Sequence, residues 1–305
     1  MVRYISRRFY QSLISLLILA VIIFLLARAS GNPVDIMLPS DASIQAREAM
    51  IKRLGLDKPY HEQFIIYMSG IARGDFGESL NYRKPNLELF ATRFPKTLQL
   101  SLVAFAFATL IAVPLGVIAG SNRNSKTDSS ARIIAVIGMS APSFWIGLFL
   151  MQVFAVYLGW LPAARTGTPL HFILPAFSLS FFMLAGITRM LRSSMIENID
   201  SEWAKLAHIK GVARRIVIWK HCLRNSLIPV MTFAGVYLGA LLVGSVVIES
   251  VFAWPGVGRM LYGAIRGRDY PLMQTIIIIK GAIIIGLNLF VDIMYAYVDP
   301  RIRYK

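Results

Sequence analysis

Six apolar stretches set what this chain can fold into: residues 9–27, 98–119, 133–158, 172–190, 227–248 and 275–297. Each is long enough to cross about 30 Å of hydrocarbon at about 1.5 Å of helical rise per residue. Lipid offers no partner to a backbone N–H or C=O, so segments of this length must satisfy their own hydrogen bonds as helices. No strand-like alternation competes with that pattern. The expected fold is all-α, a polytopic membrane protein with six transmembrane helices. A composition of 56% hydrophobic residues in 305 agrees, yet the chain also carries a net charge of +16. A nucleic-acid surface would gather those cations on one folded face among accessible aromatics. Here they collect in alternate loops, which argues for membrane lipids as surroundings and against nucleic acid.

Charge also sets an expected orientation. Arg3, Arg7 and Arg8 precede the first span, and Arg123, Lys126 and Arg132 lie in the second loop against Asp128. The fourth loop holds Lys205, Lys210, Arg214, Arg215, Lys220 and Arg224, flanked by Arg189 and Arg192, and the tail ends with Arg301, Arg303 and Lys305. All four lie on one side of an even-numbered topology, so both termini are expected in the cytoplasm. The third loop offers only Arg165, whereas Arg259, Arg266 and Arg268 in the fifth dissent mildly. Ala27-Arg28-Ala29 looks like a signal-peptidase site, but about 18 apolar residues exceed the usual signal core of about 7–15, and a retained helix is expected. In the long first loop, residues 30–96, Ser40 or Asp41 is placed to cap a helix running to Leu54 before Gly55, and a second helix is expected over 63–72, ended near Gly74. This loop reads either as a lid or as a platform for an external delivery protein.

Reactive constellations are scarce. No Gly-Lys dipeptide occurs, which excludes a P-loop, and no G-x-S-x-G elbow is present. Cys222 is a lone cysteine, and the four histidines lack metal-ligand spacing. No catalytic, cofactor or metal site is expected. Asp292 and Glu249 sit near span ends, and Lys280 is the intramembrane cation. Lys280 either snorkels outward or faces the pore as a site for an anionic substrate group. Gly116-x-x-x-Gly120 and Gly235-x-x-x-Gly239, followed by Gly244, allow close helix approach, while Pro114 and Pro142 are placed to bend spans and Pro229 to start the fifth.

Two segments stand out from this inert background. Residues 202–229 form a basic, partly amphipathic stretch between apolar spans, with Ala204, Ala207 and Gly211 at i, i+3 and i+7. On a helix these small residues present a shallow face on which another protein can dock. Glu202, Lys205, His208 and Arg214 share the segment, although His208 and Trp203 are bulky for such a face. The second is Glu249-Ser-Val-Phe-Ala-Trp254-Pro255-Gly256-Val-Gly258-Arg259, where Pro-Gly signals a turn and Phe252 and Trp254 suit a membrane interface. It reads as a plug-like extracytoplasmic elbow.

In order along the chain, Leu54-Gly-Leu-Asp-Lys-Pro59, Arg73-Gly-Asp-Phe-Gly-Glu-Ser79, Arg93-Phe-Pro-Lys-Thr97, the basic loop, Glu249 to Arg259, Arg268-Asp-Tyr-Pro271 and Asp299-Pro-Arg301 resemble a permease subunit of the dipeptide, oligopeptide and nickel branch of ATP-binding-cassette importers. The similarity covers the whole length. It implies a type I importer permease fold that works with a second, similar permease (a heterodimer), two ATPases and an external solute-binding protein. ATP and magnesium belong to those ATPases, and this chain is then not an enzyme. The basic loop corresponds to the family's EAA loop, with Ala207 and Gly211 at its Ala and Gly positions. Leu223 is followed by Arg224 where importers at large have Leu-Pro, a departure shared by peptide-type members. The implied organisation is 1–96 as first helix plus extracytoplasmic segment, 97–298 as permease core with a coupling loop at 189–226, and 299–305 as a cytoplasmic tail. The implied location is the prokaryotic inner membrane. Peptides lead as cargo, with nickel chelates, glutathione, opines or oligosaccharides as alternatives. A secondary carrier without an ATPase is the competing class, and it calls for a mid-membrane acid that the spans lack.

Overall fold

The computed structural model describes residues 2–29, 31–39, 41–242 and 244–298, the side chains of 2–4, 36 and 291–298 excepted. Arg3 and Asp292 as side chains, Asp299, Arg301, Arg303, Lys305 and the tail 299–305 therefore lie outside what is described, as does Ser40. In chain order the helices are α1 (Val2–Ala29), α2 (Val34–Met37), α3 (Ile44–Arg53), α4 (Tyr60–Ala72), α5 (Asn86–Ser121), α6 (Lys126–Ser140), α7 (Ser143–Leu150), α8 (Ile173–Ile199), α9 (Glu202–Ile209), α10 (Arg214–Ile216), α11 (Leu223–Leu242), α12 (Val246–Val251), α13 (Val257–Arg266) and α14 (Tyr270–Val298). Among the described residues there is no strand, only an isolated bridge between Glu78 and Pro85.

Five helices are long and apolar enough to cross a membrane, and a sixth crossing exists only if one bent pair is counted as a span. That pair corrects the expected continuous helix over 133–158: α6 and the segment from Ser143 to Tyr157 meet at 110°. Pro142 is the cause, since the residue before a proline avoids helical backbone; Ala141 has ψ 130°. The fifth span is also displaced. Helical structure runs from Arg214 with Pro229 inside it, and α11 ends at Leu242 rather than continuing to Ile248.

The chain divides into two compact units. One comprises residues 1–95 and 256–305. In it the expected long-loop helix is α3, capped by the Ser43 hydroxyl, which accepts from the Ala46 N–H at 3.2 Å. That cap lies further along than Ser40 or Asp41. The helix expected over 63–72 starts earlier, at Tyr60, after Pro59. Phe64 and Tyr67 of α4 pack on Phe24 of α1. Buried Asp269, before α14, gathers the Ser79 hydroxyl at 2.5 Å and the Leu80 and Asn81 N–H groups at 3.1 Å each.

The other unit comprises residues 96–255. Its core is built from two stripes at helical spacing: Leu100, Ala104, Ala108 and Ala112 on α5, and Met183, Ile187, Leu191 and Met195 on α8. A Cβ on Gly116 would lie 3.0 Å from the Leu191 Cβ, and one on Gly120 2.6 Å from that of Met195. The first glycine pair is thus spent on helix contact within the unit. A Cβ on Gly235 of the second pair would meet nothing within 4 Å.

Candidate functional site

Helix α9 follows α8 after Asp200 and Ser201, and it turns its small residues inward. Ala204 is fully buried in the same core as Met195, Val217 and Cys222, and Ala207 is half-buried against it. Gly211 lies past the helix end at φ +81°. There the Gly211 N–H donates to the His208 carbonyl at 3.0 Å and the Val212 N–H to the Ala207 carbonyl at 3.1 Å. This is the paired bonding of a glycine-terminated helix, which satisfies carbonyls that would otherwise be orphaned. The shallow face expected of Ala204, Ala207 and Gly211 is therefore not an open docking face: the first two anchor α9 and the third terminates it.

The open face carries large apolar residues instead. Trp203, Leu206 and Ile209 are 39%, 51% and 82% exposed, at i, i+3 and i+6. Sequence reasoning set Trp203 aside as too bulky and overlooked the other two. The signal was present as three large hydrophobics at helical spacing in an otherwise polar loop. Glu202, Lys205 and His208 flank this stripe and are exposed. The Lys205 ammonium lies 2.9 Å from the Glu202 carboxylate, a contact that raises its pKa. Arg214 donates to the carbonyl of Ser121, the last residue of α5, at 3.1 Å.

Deeper in the same unit, an ion pair ties two helices at this end. Asp128 of α6 is fully buried and engages Arg192 of α8 through both carboxylate oxygens, with Nη2 to Oδ2 at 2.9 Å. The Asn124 N–H adds a bond to Oδ2 at 3.0 Å. The sequence offered both residues only as loop charges.

The two aromatics of the elbow are buried in the protein. Phe252 and Trp254 are 1% and 0% exposed. The Trp254 indole N–H donates to the Lys96 carbonyl at 3.0 Å, and its ring meets Phe172 edge-on at 4.6 Å. Glu249 is buried in α12, a helix separate from the fifth span, and accepts from the Thr97 hydroxyl at 2.8 Å. Gly244 makes that separation possible: its φ is +77°, and a Cβ there would lie 2.5 Å from Thr97 Cγ2 and 2.9 Å from Glu249 Oε1. Pro255 closes this unit, and Gly256 is the N-cap of α13 in the other. Lys280 is 8% exposed, so it is enclosed by protein and does not snorkel to water. Among the described residues no three His, Cys, Asp or Glu side chains could hold a metal ion.

Two family models match: residues 112–304 fit the binding-protein-dependent transport system inner membrane component, and residues 1–102 fit the N-terminal part of such a membrane component. The chain belongs to this family. It is the permease subunit of an ATP-binding-cassette importer, a multi-pass inner-membrane protein and not an enzyme; ATP is handled by a separate subunit. The chain is 39% identical over its whole length, and the whole of the relative's, to the glutathione transport system permease protein GsiC of Shigella flexneri. It is 38% identical to that of Escherichia coli K12, again with full coverage of both. Among solved structures, an inward-facing MetNI methionine ABC transporter matches with a TM-score of 0.57 and 19% identity, covering 70% of this chain and 97% of that one. The likeness supports the type I permease fold.

Proposed function

We propose that this permease imports short peptides, glutathione foremost. The observation that carries the cargo is the end-to-end similarity to glutathione permeases. Glutathione is itself a tripeptide, so the peptide class implied by the sequence and the cargo named for these relatives share one chemistry. A second, homologous permease completes the pathway as a heterodimer, with two ATPases and an external binding protein. The α8–α11 connection and both termini face the cytoplasm, in keeping with the concentration of basic residues there.

In this scheme the exposed stripe Trp203, Leu206 and Ile209 seats in an ATPase groove. Movement of the ATPases is carried through Ala204 and Ala207 into α8 and α11. Docking must differ in strength between the inward- and outward-open states, because equal affinity for both shifts no equilibrium. Uptake of labelled glutathione, a dipeptide and a nickel chelate by cells with and without the gene tests the assignment. Loss of glutathione uptake on deletion, restored by the gene, is expected. Undiminished glutathione and dipeptide uptake with loss of the nickel chelate alone would overturn the cargo.

A further inference from the structure

Within the unit of residues 1–95 and 256–305, a cavity of about 470 Å³ opens at the end of α1. Its charged lining is Arg28, Lys52, Arg53 and Lys58 against the single carboxylate Asp75. Asp75 already accepts from the Gly77 N–H at 2.8 Å. Three of its lining residues each carry a buried polar atom without a partner in the protein: Arg28 at Nη1, Tyr67 at its hydroxyl and Gln274 at Nε2. Gln274 is only 4% exposed. A buried donor left unmet is destabilising, so three beside one cavity favour a ligand that brings acceptors to them.

Arg28 is held for this purpose. Its Nε and Nη2 both donate to Gln63 Oε1, at 3.2 and 3.0 Å, and its guanidinium stacks over Phe24 at 3.7 Å. Gln63 is fixed in turn by donating to the Lys58 carbonyl at 2.8 Å. Burial holds the Tyr67 phenol above its ordinary range, so it keeps its proton and donates. Fixed donors among surplus cations fit an anion with several acceptor oxygens, and phosphate is the match that Arg favours.

The source of the phosphate follows from depth. Arg28 lies one residue from the end of the apolar segment Ile5–Ala29, where headgroups sit. Leu17, Val21 and Leu25, spaced by single turns below it, are exposed along α1 and offer a track for an acyl chain. We propose that this cavity binds the phosphate headgroup of an anionic phospholipid. The site is independent of the cargo and of the membrane orientation.

The assembled importer in nanodiscs, followed by native mass spectrometry, provides the test. Wild type should retain phosphatidylglycerol about tenfold over phosphatidylcholine, and short-chain phosphatidylglycerol should raise its melting temperature. Tyr67→Phe and Gln274→Met should each cut that retention about tenfold while leaving the melting temperature in pure phosphatidylcholine equal or higher, since an unmet buried donor has gone. Lys52→Gln with Lys58→Gln, both at exposed positions, should weaken retention without affecting folding. Equal retention of the two lipids, or no change in the variants, overturns the proposal. So does inorganic phosphate raising the melting temperature as much as the lipid, which would mark a small-anion site.

Discussion

At Gly211 the backbone φ is +81°, and a Cβ there would meet nothing within 4 Å. Its role is therefore conformational rather than spatial. A left-handed backbone costs an ordinary L-residue about 1–2 kcal/mol, and Asn less than most. Gly211→Ala and Gly211→Arg should thus lower ATP-driven uptake by similar amounts, through a loosened end of α9, while Gly211→Asn retains most of it. If Gly211 instead lay on a crowded docking face, Arg would abolish uptake and Ala would spare it. Uptake into membrane vesicles, normalised to the amount of inserted protein, separates these outcomes. Trp203 is the complementary case: a residue awkward for a shallow face is natural on an apolar one, and it is 39% exposed.

Among the elements, the sequence yielded what depends on local composition and missed what depends on bonding partners. The apolar lengths of α1, α5, α8 and α14 were readable because a lipid-crossing helix needs little beyond hydrophobicity. Gly55 stopping α3 followed from its neighbours alone. The break at Pro142 and the end of α11 at Leu242 were less legible, since both interruptions lie within continuous apolar runs. The inward turn of Ala204 was hidden because small residues at helical spacing suit a buried contact and an open groove equally. Asp128 and Arg192 stand 64 positions apart, so their pairing has no local signature at all. Asp128 is fully buried but the Arg192 side chain is 19% exposed, so losing the acid leaves a partly buried cation unpaired, at less than the about 3–5 kcal/mol of a fully buried pair. Asp128→Asn should lower the melting temperature of the purified importer clearly more than Lys205→Gln, whose ion pair with Glu202 is exposed and screened by solvent. Matched melting curves for the two variants would show that the α6–α8 tie is not structural.

For the whole molecule the question is how a chain without a reactive site joins an energised cycle. Nothing inside the unit of residues 96–255 needs to react. The α9 segment has an apolar stripe outside and small residues packed into a dense core inside, so a push on the first is passed to the helices touching the second. Close packing transmits displacement because it leaves little void to absorb it. In the proposed scheme this lever works only while the ATPase holds it. Leu206 and Ile209 are 51% and 82% exposed, so charges placed there should spare the fold while spoiling an apolar contact. The double variant Leu206→Glu, Ile209→Glu is therefore expected to reach the membrane in normal amount, to lose copurifying ATPase at least tenfold, and to import nothing. Its melting temperature, taken without ATPase, should match that of the unaltered chain. Full ATPase retention by this variant would move the coupling surface elsewhere on the chain, with Trp219, 43% exposed, as the next residue to charge.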